Sequence, residues 1–107
     1  MADSADRRAS ERIPVNSGTG CAFAGKVVSD VGPVKIRDVS LEGIGLVLLR
    51  PLKVGDLLAI VLENASRGLA KTILVNVAHV TTVPGGFLIG GSFAEPLTYQ
   101  EFTALVM

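Results

Sequence analysis

Cysteine, histidine, tryptophan and any excess of charge are what this 107-residue sequence has least of. A single cysteine, Cys21, excludes an internal disulfide framework and a cysteine-rich zinc site. A single histidine, His79, excludes the two-histidine metal motifs. Four Phe, one Tyr and no Trp are too few for an obvious base-stacking platform. Ten Lys and Arg balance ten Asp and Glu, which argues against a protein that coats DNA or RNA, because non-specific binding of nucleic acid draws on excess cationic charge. The best apolar run, residues 57–62, falls far short of the roughly 18 residues of a membrane span and reads as a buried strand. The polar N-terminus has no apolar segment of the kind a secretory signal requires. The expectation is a soluble, cytoplasmic, single-domain protein without a membrane partner.

What is present is an apolar chain, 49% by count, long enough to bury one core. Residues 1–12 are polar and charged and read as a flexible N-terminal arm, since nothing in them offsets the entropy of ordering. Residues 13–107 read as the folded domain. Short β-rich runs occur at Val27 and Val28 and at residues 34–39, 43–49, 57–62, 70–83 and 87–93. Turn signals separate them at residues 29–33, 40–43, 51–56 and 63–68, and Pro84-Gly85-Gly86 marks a hairpin. Six strands with short Gly and Pro breaks predict an all-β, six-stranded antiparallel barrel. The last dozen residues differ: Thr98-Tyr99-Gln100-Glu101 has the form of a capping box, with Leu97 and Phe102 at the staple positions. A short C-terminal α-helix follows, with Tyr99, Phe102, Leu105 and Val106 on the face expected to pack on the barrel.

Several apparent motifs fail. Residues 20–26 have the G-x-x-x-x-G-K spacing of a phosphate-binding loop, but Val27 stands where a magnesium-binding hydroxyl should be, and a strand rather than a helix follows. The segment reads as a turn and a strand start. Asn64-Ala65-Ser66 is a glycosylation sequon without a secretory context. Cys21 reads as a small apolar residue near the barrel mouth, its thiol pKa raised by burial. His79, in the long strand, reads as a solvent-facing cross-strand residue. No catalytic constellation is visible, and the expectation is a non-enzyme with no metal and no cofactor.

Two clusters survive. Arg7, Arg8 and Arg12 place three of the ten basic residues within six positions, and Arg suits bidentate capture of phosphate and guanine edges. Asp38-Val39-Ser40-Leu41-Glu42-Gly43 closes the strand at 34–39. In an extended chain Asp38 and Ser40 point to the same side, where a carboxylate can accept two N–H bonds from a guanine edge and Ser40 can add a third. Gly43 either lets backbone approach a ligand closely or supplies a positive φ. Taken alone, the cluster also reads as a turn in which Asp38 and Ser40 cap their own backbone.

Together these residues resemble the PilZ family of cyclic di-GMP receptors. Arg8-Ala9-Ser10-Glu11-Arg12 matches the family's R-x-x-x-R, and Asp38-Val39-Ser40-Leu41-Glu42-Gly43 matches its D/N-x-S-x-x-G. Ile44-Gly45-Leu46, Val54-Gly55-Asp56 and Ile89-Gly90-Gly91-Ser92-Phe93 extend the likeness to almost the whole chain. The resemblance implies a second-messenger receptor whose arm wraps cyclic di-GMP against the barrel. Arg8 and Arg12 would contact phosphates and guanine, Asp38 and Ser40 the base edges, and Gly43 would hold the loop. Arg7, directly before the motif, implies an intercalated pair of ligand molecules. One departure stands out: many relatives carry a basic residue just ahead of the strand histidine, where this chain has Ala78.

Ordering six arm residues costs on the order of 6–12 kcal/mol, and three charge-assisted Arg contacts return roughly 1.5–3 kcal/mol each. The arm is therefore expected to order on ligand binding and to signal to a downstream partner protein in another chain. The alternative reading is a PilZ-fold interaction module that acts without nucleotide. A flavin-binding split-barrel enzyme is a third, disfavoured by the lack of a second basic pocket.

Overall fold

A computed structural model describes residues 12–24 and 34–107. The strands are β1 (Gly20–Phe23), β2 (Lys35–Val39), β3 (Gly43–Leu48), β4 (Leu57–Asn64), β5 (Leu69–Val83) and β6 (Gly86–Phe93). One short helix, α1 (Tyr99–Val106), follows them. The strands form one antiparallel sheet in the order β1-β4-β5-β6-β3-β2, curled into a half-barrel. Val27 and Val28 lie outside the described residues. The first strand observed is β1, in the segment whose spacing resembles a phosphate loop; its four residues pair with residues 60–63 of β4, which accounts for Gly20 as strand rather than loop.

Alternation of side chains builds the core. Leu58, Ile60 and Leu62 of β4 face inward with Ile73, Val75 and Val77 of β5, and Ile44, Leu46 and Leu48 of β3 join Ile89 and Phe93 of β6. Pro84-Gly85 is the two-residue turn between β5 and β6, with Gly85 at φ 87° where a side chain would be strained. The 15-residue β5 binds β4 along its first half and β6 along its second, so it joins the two sides of the sheet.

Two bulges interrupt the alternation, and both matter for the site. In β2, Ile36 pairs with Leu46 but Asp38 pairs with Gly45, leaving Arg37 as the extra residue. In β5, Val77 pairs with Gly91 and His79 with Gly90, leaving Ala78 extra. Strict period-two spacing would turn Asp38 inward with Ile36, and His79 inward with Val77. The inserted residues rotate both onto the outer face.

Helix α1 closes one end of the core. Its capping box is complete: Thr98 Oγ1 accepts from the Glu101 N–H, and the Glu101 carboxylate accepts from the Thr98 N–H. Leu105 and Leu97 are buried and Phe102 half-buried, but Tyr99 is 71% exposed. The expected packing face is thus shorter than four residues, since Tyr99, at the first helical position, stands in solvent. The helix C-terminus is held by other parts of the chain. The Asn16 N–H and Thr19 hydroxyl donate to the Leu105 carbonyl at 2.8 and 2.9 Å, and the Asn16 and Asn64 amides donate to that of Ala104 at 3.1 and 3.2 Å. Asn64, the sequon residue, is therefore a buried structural cap.

Candidate ligand-binding site

The two bulges create one cross-strand row on the outer face: Asp38 opposite Gly45, Gly45 opposite Gly90, and Gly90 opposite His79. The glycines lie under neighbouring side chains. A Cβ on Gly45 would stand 2.6 Å from Asp38 Oδ1 and 3.3 Å from an Arg12 guanidinium nitrogen, and one on Gly90 would overlap the His79 ring. On the next rung, a Cβ on Gly43 would stand 2.5 Å from the Gly91 carbonyl oxygen and 3.3 Å from Arg12. Gly43 has no positive φ, so close approach, and not a left-handed turn, is the reason for glycine there.

Arg12 enters this face from the N-terminal segment. Reciprocal backbone hydrogen bonds between Ile13 and Val39, at 2.8 and 2.9 Å, fix the chain just after it. The guanidinium then donates to Asp38 Oδ1 at 3.3 Å, while Arg37 Nε stands 3.8 Å from Asp38 Oδ2. Ser40 is buried, and its hydroxyl serves the loop: it accepts from the Gly43 N–H at 3.0 Å and the Glu42 N–H at 3.3 Å. The Ser40 N–H donates to the Gly43 carbonyl at 2.9 Å, closing the β2–β3 turn. Asp38 thus stands within β2 and Ser40 just past its end, in the turn.

Arg12, Ser40, Glu42, Gly43, Ala78, Gly91 and Ser92 line an open cleft of about 220 Å³ beside the glycine row. Larger hollows of about 390 and 440 Å³ lie at residues 71–74 with Ala94 and Glu95, and around Lys35, residues 47–49 and the β5–β6 turn. Neither combines an Arg–carboxylate pair with a glycine floor, so volume alone does not select the site. Arg7 and Arg8 lie outside the described residues. Cys21 is half-buried, and burial pushes its thiol up to about 12, which leaves it protonated and unreactive at neutral pH. Among the described residues no group of His, Cys, Asp and Glu could hold a metal ion, and no helix is long and apolar enough to cross a membrane.

The family model of the PilZ domain matches residues 6–106, nearly the entire chain. The chain belongs to the PilZ domain family. No curated protein and no solved structure matches it. PilZ domains are ligand-binding receptor domains, known for cyclic di-GMP and generally not enzymes. In this PilZ domain, Arg12, Asp38 and Gly43 meet on one face, with Ser40 as the fastener of the loop between them. Gly45, Gly90 and the two bulges belong to this face although no motif of the sequence marks them as parts of a site. Gly43-x-Gly45 in one strand and Gly90-Gly91 in another were a usable signal, because glycine weakens a strand unless something packs against its backbone.

Proposed function

We propose that this PilZ domain is a receptor for cyclic di-GMP that binds through Arg7, Arg8, Arg12, Asp38, Ser40 and Gly43 and catalyses no reaction. The supporting observation is the meeting of Arg12 and Asp38, 26 residues apart in sequence, at 3.3 Å over a floor of glycines. Asp38 offers acceptors of the kind a guanine N–H edge requires, and Arg12 offers the planar donor fork that suits phosphate and guanine oxygens. The absence of side chains at Gly43 and Gly45 lets Arg12 and the Asp38 carboxylate lie close against the sheet, where they can be presented together to a ligand. The Arg12–Asp38 pair is partly exposed, and such pairs contribute about 0–1 kcal/mol, so parting it to seat a ligand costs little.

Cavities that enclose a drug-sized ligand run to about 300–1,000 Å³. The cleft of about 220 Å³ covers only part of a cyclic dinucleotide, and the arm at residues 1–12 supplies the rest of the enclosure. Arg8 closes on phosphate, and Arg7 on a second, intercalated ligand molecule. The entropy of ordering the arm nearly cancels its contacts, so net affinity comes from the barrel face and from stacking. The ordered arm is the surface that a downstream cytoplasmic partner reads.

Calorimetric titration with cyclic di-GMP, with GTP and cyclic di-AMP as controls, tests this reading. Saturable heat with cyclic di-GMP alone, at two molecules per chain, is expected. Arg12→Ala should weaken binding at least tenfold with an unchanged melting temperature. A stoichiometry near one removes the role given to Arg7. No heat at high micromolar ligand overturns the receptor reading in favour of an interaction module that works without nucleotide.

A further inference from the structure

We propose that His79 is a ligand-binding residue of the same site, donating a hydrogen bond from its ring to an acceptor oxygen of the bound cyclic dinucleotide; this rests on the receptor reading above. Three observations converge on it. The β5 bulge turns His79 out of the core, although strict alternation from Val77 would bury it. The exposed ring then reaches over Gly90 with Cε1, Nε2 and Cδ2, the atoms at the far end of the imidazole, where any side chain on residue 90 would collide with it. Gly90 is paired directly with Gly45, which lies beneath Asp38 and Arg12. His79 and the Arg12–Asp38 pair thus face each other across two glycines, and adjacent strands are about 4.8 Å apart. A ligand seated over this row meets Asp38 and Arg12 above Gly45 and the imidazole above Gly90.

The chemistry of the β5 side favours this role. Ala78, at the cleft, has no polar group to offer. The ring nitrogens of His79 have no hydrogen-bond partner among the described residues, so the donor is available. A neutral imidazole carries one N–H donor and an imidazolium two, so the contact does not depend on a single protonation state.

His79 is the only histidine in the chain, so its ring resonances can be followed without ambiguity. The experiment is titration of the full-length protein with cyclic di-GMP, monitored by calorimetry and by the imidazole ¹H–¹⁵N signals, with His79→Ala, His79→Gln and His79→Phe alongside. The ring signals should shift and saturate together with the heat. His79→Ala should weaken binding about tenfold at unchanged melting temperature, His79→Gln should retain most of the affinity because it keeps an N–H donor, and His79→Phe should not. Wild-type binding with an unmoved imidazole, or unaltered affinity in His79→Ala, overturns this proposal and leaves the receptor reading standing. Rescue by Phe and not Gln overturns the hydrogen bond in favour of packing. Absence of binding by the wild type overturns both readings.

Discussion

Gly43 and Gly45 stand two residues apart on one strand, and substitution at each should fail in a different way. At Gly43 the obstacle is a backbone carbonyl, that of Gly91, which cannot move without disturbing the β3–β6 ladder. Gly43→Ala should therefore destabilise the domain by about 1–3 kcal/mol, the usual range for forcing an extra methyl into a packed site. At Gly45 the obstacle is the carboxylate of Asp38, which can swing aside. Gly45→Ala should leave stability nearly intact while weakening cyclic di-GMP binding at least tenfold, because it displaces the acceptor. Denaturation midpoints and calorimetric affinities measured on the two variants check the contrast. Glu101 supplies a second residue-scale expectation. The Lys71 ammonium donates to both of its carboxylate oxygens at 2.9 Å and the Thr98 N–H to one of them, which holds its pKa below the usual glutamate range. A lowered carboxyl pKa contributes stability above the unfolded value of about 4.3 and loses it as pH falls through the folded one. Acid unfolding of wild type should therefore show an added loss below about pH 4.3 that Glu101→Gln lacks.

At the scale of elements, hydrophobic periodicity and turn chemistry made most of the sheet legible. The residues of β3 to β6 were expected within a residue or two at most boundaries, because alternating Ile, Leu and Val are bounded by Gly, Pro and Asn. The capping box of α1 was legible for the same reason, since Thr98 and Glu101 stand at a spacing that has few other uses. The bulges were not. Nothing in the run 35–39 or 69–83 announces that Arg37 or Ala78 is unpaired, because a bulge is decided by the register of the partner strand. The site suffered most from this: Asp38 was anticipated as a ligand residue, but its position opposite Gly45 depends on the bulge. Ser40 was seen with both of its possible roles, and the hydrogen bonds to Glu42 and Gly43 realise the loop-capping one.

For the whole molecule, the half-barrel divides into two sides joined by β5. One side carries β1, β4 and the C-terminal cap of α1 at Asn16, Thr19 and Asn64; the other carries the glycine row and the cleft. The segment from Arg12 to Thr19 bridges them, with Ile13 paired to Val39 at one end and Asn16 held by α1 at the other. The Arg–carboxylate pair on the cleft side is accordingly anchored to the core through backbone on both flanks, by β2 beneath Asp38 and by the Ile13–Val39 bonds beside Arg12.

The pairing of β3 with β6 also determines the order in which the molecule is assembled. β4, β5 and β6 are consecutive in sequence and joined by short connections, so they can form a meander early. Joining residues 43–48 to 87–92 closes a much longer loop, and such contacts are slow to form. Gly43 and Ser40 lie on one side of that late junction, Ala78 and Gly91 on the other. The cleft thus comes into existence only when this junction closes. Gly43→Ala should accordingly accelerate unfolding and leave the folding rate nearly unchanged in stopped-flow denaturant measurements. A cyclic dinucleotide seated across the junction would act as a brake on unfolding, lengthening the lifetime of the native chain.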